Sequence, residues 1–68
     1  LMFRISKLVS FNSYPDMFIV IDHADGSDYE LNSAAAAIFK KIEKNEQNYS
    51  EGELEFIEDL INAGIVFK

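Results

Sequence analysis

Between residues 3 and 11 the side chains alternate: Phe3, Ile5, Val9 and Phe11 fall on one face, and Arg4, Ser6 and Ser10 on the other. This period of two predicts a half-buried strand, with Lys7 interrupting its apolar face and Leu8 its polar one. Asn12-Ser13-Tyr14-Pro15-Asp16 predicts a turn, because proline fixes φ and short polar side chains bond the local backbone. Met17 to Ile21 is a continuous apolar run rich in β-branched residues, as expected of a strand covered on both faces or central in a small sheet. Asp25-Gly26 then predicts a tight hairpin, since both residues tolerate positive φ. Asp28 to Leu31 is the return strand, with Tyr29 and Leu31 pointing the same way.

From Asn32 the period lengthens. Asn32 or Ser33 caps a helix that starts on Ala34 to Ala37 and runs to Lys44. Ala35, Ile38, Phe39 and Ile42 form its apolar stripe, while Lys40, Lys41 and Lys44 are expected to face water near the negative end of the helix dipole. Residues 45 to 49 read as a polar connector. Ser50-Glu51-Gly52-Glu53 matches a capping box and opens a second helix. Leu54, Phe56, Ile57, Leu60, Ile61 and Ala63 give that helix an apolar surface wider than one stripe, and Gly64 ends it. Ile65-Val66-Phe67 follows as an apolar tail. The predicted fold is α+β: a three-stranded antiparallel sheet followed by two helices, with room for a third only in the short connector, in one domain spanning residues 1 to 68.

Sixty-eight residues make a thin core, so some further stabilisation is expected from a partner or from oligomerisation. The absence of cysteine excludes disulfides and thiolate metal sites, and one histidine cannot build a His-based zinc site. Six basic against twelve acidic residues give a net charge of −6, the wrong sign for neutralising phosphates, so nucleic acid is not an expected partner. No apolar run is long enough to span a bilayer and no signal-peptide layout is present, so the cytoplasm is the expected location and no membrane partner is expected. The opening Leu1-Met2 suggests either a trimmed N-terminus or a domain cut from a longer protein.

Charge is concentrated in the second helix, where Glu51, Glu53, Glu55, Glu58 and Asp59 occur with no lysine or arginine. These acids form either a solvated face that suits the helix dipole or a rim for a basic peptide. Signals for catalysis are missing: there is no phosphate-binding glycine loop, nucleophile elbow or cysteine nucleophile. His23 beside Asp22 would act as a base only if a nucleophile and a cleft were supplied. Asp22, Asp25, Asp28 and Glu30 lack the spacing of a calcium loop. The chain is therefore expected to be no enzyme and to need no cofactor or metal.

What remains is surface. A three-stranded sheet has edges, and Asp28 to Leu31 is a candidate edge for an incoming extended peptide. Two segments carry a family resemblance. Tyr29-Glu30-Leu31-Asn32-Ser33-Ala34-Ala35-Ala36-Ala37-Ile38-Phe39 resembles the strand-to-helix junction of the PqqD-like family, and Leu54-Glu55-Phe56-Ile57-Glu58-Asp59-Leu60-Ile61-Asn62-Ala63-Gly64-Ile65 is similar to its last helix. The two cover about a third of the chain, in the family's order.

The resemblance implies a RiPP recognition element, a small winged-helix-like domain that binds the leader of a ribosomally made precursor peptide. The leader would add as a strand to Asp28, Tyr29, Glu30 and Leu31 and lie against Glu53, Leu54, Ile57, Glu58 and Ile61. The implied enzyme partner is a radical SAM protein or a leader peptidase, within natural product biosynthesis. Ile57→Asp is then expected to abolish binding while the fold survives. One departure is that the family's short middle helix has only Asn45 to Tyr49 in its place. The alternative expectation is a protein–protein interaction or homodimerisation domain that uses the same exposed edge.

Overall fold

A computed structural model describes residues 2–68; Leu1 lies outside the described residues. The element order is β1 (Arg4–Ile5), β2 (Val9–Ser13), β3 (Phe18–Asp22), β4 (Ser27–Leu31), α1 (Ser33–Glu43), α2 (Glu51–Asn62) and β5 (Val66–Phe67). The architecture is α+β, with the antiparallel sheet β2-β3-β4 followed by two helices.

The expected first strand is two strands. A turn at Lys7-Leu8, the residues that break the alternation, separates them, and the Val9 amide donates to the Ser6 carbonyl at 3.2 Å. β1 leaves the main sheet and pairs antiparallel with β5, Arg4 opposite Phe67 and Ile5 opposite Val66. The apolar tail is thus the second strand of a ribbon.

β2 runs on to Ser13, so the first turn sits later than predicted and is closed by the Tyr14 amide on the Met17 carbonyl at 2.8 Å. β3 is the central strand, as its composition predicted. The second hairpin forms at Asp25-Gly26 but is wider than the tight turn expected: Asp22 pairs with Ser27, leaving a four-residue loop in which only Gly26 has positive φ, at 78°. Asp25 staples that loop by accepting from the Ser27 amide at 2.9 Å and from the Ser27 hydroxyl.

Register assigns the sheet faces. Val9, Phe11, Phe18, Val20, Tyr29 and Leu31 share the face that meets the helices, while Ser10, Asn12, Ile19, Ile21, Asp28 and Glu30 share the other. The core joins Val20 and Leu31 to Ala36, Phe39 and Ile42 of α1, Ile57 and Leu60 of α2, and Phe3, Ile65 and Val66 from the ribbon end. Phe39, fully buried, stacks on Phe11 at 4.9 Å between centroids.

Both helices are capped as their sequences predict. Asn32 accepts the Ala35 amide at 2.8 Å, and Ser50 with Glu53 completes a reciprocal capping box. Each helix also ends in a Schellman motif. After α2, Gly64 at φ 78° donates to Ile61 and Ile65 donates to Leu60; after α1, Asn45 at φ 59° donates to Ile42 and Glu46 donates to Lys41. No helix lies between α1 and α2 among the described residues.

Candidate interaction edge

β4 is an outer strand: β3 pairs with one side of it, and no described strand pairs with the other. Its register fixes where the expected contact residues point. Asp28 lies opposite Ile21 and Glu30 opposite Ile19, on the face away from the helices, and both are exposed. Tyr29 lies opposite the buried Val20 and Leu31 opposite Phe18, on the helix side. Leu31 is 8% exposed beneath α1, whereas Tyr29 is 37% exposed, so the helix layer leaves part of its own side of β4 uncovered.

The helical residues expected at the groove behave differently from one another. Ile57 is 1% exposed and belongs to the core, so Ile57→Asp tests folding, contrary to the expectation that the fold would survive it. Glu53 is committed to the N-cap of α2 and to Lys41. The Ser50 amide, and next the Lys41 ammonium, hydrogen-bond its charged form and hold its carboxyl below the usual glutamate value. Leu54 and Ile61 are half-buried and Glu58 is exposed; with Ile57, Phe3 and Lys68 they line a half-open hollow of about 200 Å³.

Strand and helix residues therefore border different hollows. Glu30 and Leu31 line a depression with Asp16, Phe18, Asn32 and Ser33, at the end of β4 that enters α1. β4 packs on α1, while α2 packs on β5 and α1.

The acidic face of α2 is solvated along Glu51, Glu55, Glu58 and Asp59. Lys41, expected to face water, is instead half-buried and paired with Glu53. Lys40 is exposed but lies over the Phe18 ring at 4.9 Å. The chain neighbours His23 and Asp22 do not form a dyad: Asp22 is 7% exposed and its carboxylate accepts the Ala24 amide at 3.0 Å. The His23 ring bonds instead to the Ser10 hydroxyl at 2.9 Å. Spacing along the chain gave no signal of that contact, because it arises from the β2–β3 register. Compared with protein-family models, curated proteins and solved structures, the chain matches none.

Proposed function

We propose that this domain is a non-catalytic recognition module that takes up the leader region of a ribosomally synthesised precursor peptide as an added strand on β4 and presents it to a modifying enzyme. The observation that carries the reading is the open side of β4, which offers unpaired backbone donors and acceptors beside exposed Asp28, Tyr29 and Glu30. The resemblance of residues 29–39 and 54–65 to the PqqD-like family supplies the class of peptide and the class of partner, a radical SAM protein or a leader peptidase. In this reading the domain works in the cytoplasm. A micromolar complex needs about 8 kcal/mol, within reach of one added strand with two anchored side chains.

Self-pairing through the same edge is less favoured. An antiparallel β4–β4 contact centred on Tyr29 sets Asp28 opposite Glu30 twice, and one centred on Glu30 sets two Glu30 side chains face to face. Like charges directly opposite destabilise a strand pair.

Titration of the isotope-labelled domain with a panel of leader peptides, followed by NMR, tests the proposal. Shifts concentrated in residues 27–31, with new protection of their amides from exchange, are the expected result. A dimer-sized diffusion coefficient with no response to any leader would reject peptide capture in favour of self-association.

A further inference from the structure

We infer that the strand accepted by β4 is one in which basic and apolar residues alternate, the basic ones on the sheet face away from the helices and the apolar ones on the face toward them. The inference rests on the strand-addition reading and deepens it. A strand laid beside β4, in either direction, sends alternate side chains to the two faces, each next to the β4 residue of the same face. On one face those neighbours are Asp28 and Glu30. Neither has a cationic partner, since the single ion pair among the described residues is Lys41–Glu53. On the other face the neighbour is Tyr29, an aromatic side chain that α1 leaves 37% exposed.

The alternation is specific to this edge. β2, the opposite edge of the same sheet, carries the uncharged Ser10 and Asn12 on its outward face. The wider field agrees with the local one: a net charge of −6 and the acidic solvent face of α2 draw a basic peptide toward the domain and speed encounter.

Three synthetic peptides of equal length test the inference by NMR titration. One alternates lysine and leucine, one has the same composition in two blocks, and one alternates glutamate and leucine. The alternating lysine peptide is expected to shift residues 27–31 and to bind about tenfold more tightly than the other two. Asp28→Asn with Glu30→Gln, a nearly isosteric and exposed pair of changes, should remove about that same tenfold preference, and the loss should shrink as salt is added. Asp28→Lys with Glu30→Lys should transfer the preference to the glutamate peptide, which separates a charge effect from damage to the strand. Equal binding of all three peptides at residues 27–31 would overturn the charge pattern and leave strand addition standing. Shifts at residues 9–13 instead, or no shift with any peptide, would overturn strand addition on β4 itself.

Discussion

The Lys41 ammonium lies 3.0 Å from each carboxylate oxygen of Glu53, joining the last turns of α1 to the cap of α2. The same nitrogen donates to the Asn48 carbonyl at 3.0 Å and sits 4.9 Å above the Tyr49 ring, which in turn meets Phe3 edge-on at 5.4 Å. An isolated ion pair at a protein surface contributes little. Here one cation holds a helix cap, a connector carbonyl and an aromatic ring in the stretch where no regular element spans the gap between the helices. Lys41→Met is expected to lower the melting temperature by a few degrees and to raise amide exchange most strongly over residues 45–53. Uniform exchange across the chain would contradict a local staple.

Acid should loosen the same junction. Because the folded value of Glu53 is depressed, its contribution to stability is fully present above the unfolded value of 4.5 and is lost as pH falls through the lower folded value. Thermal melts are therefore expected to show no Glu53-dependent change from neutrality down to pH 5, and a loss below 4.5. Glu53→Gln can keep the capping geometry but not the charge, so its stability should fall less steeply in acid. Identical acid slopes for parent and variant would remove Glu53 from the explanation.

Ser50→Ala deletes the hydroxyl that accepts the Glu53 amide. A lost N-cap costs about 1 kcal/mol, and in a domain of this size that corresponds to roughly 4–8 °C in melting temperature.

Phe39→Ala is expected to abolish cooperative unfolding. The ring is fully buried against Phe11, and truncating a buried phenylalanine costs about 3–5 kcal/mol. The whole domain holds only about 3–10 kcal/mol at ordinary stability per residue. Phe39→Leu, which leaves a smaller cavity, should still melt in a single transition by circular dichroism.

Ile57 and Tyr29 separate folding from the proposed recognition. Ile57→Asp puts a carboxylate into the core, an uncompensated burial that costs several kcal/mol, and should give the collapsed amide dispersion of an unfolded chain. Tyr29→Ala trims an exposed side chain on the open strand; it should leave the melting temperature within a few degrees and, on the proposed strand addition, weaken leader binding severalfold. Unchanged leader affinity in Tyr29→Ala would remove that ring from the contact.

Much of this fold was legible because its signals are local. Asn32, the Ser50–Glu53 box and Gly64 act within a few residues of themselves, and all three mark helix ends as read. The break between β1 and β2 was hidden by parity: the Lys7-Leu8 turn keeps Ile5 and Val9 in step, so two strands in different sheets mimic one alternating strand. β5 is two residues long and finds its partner at the opposite end of the chain, beyond the reach of any periodicity. The candidate site was half legible as surface. Edge position and alternation placed Asp28, Tyr29 and Glu30 at an exposed strand, but spacing along α2 cannot distinguish the buried Ile57 from the half-buried Leu54 and Ile61, because all lie on one apolar surface.

A pull on residues 3 and 68 would meet the β1–β5 ribbon first. Arg4 and Phe67 form its outermost rung, Ile5 and Val66 the next, and the Ser6 amide closes on the Ile65 carbonyl at 2.8 Å. Traction applied at residues 3 and 68 would load these rungs one after another, as a zipper is opened, instead of shearing them together. Phe3 and Ile65 would be drawn out of the interior before the separate β2-β3-β4 sheet was loaded through Val9.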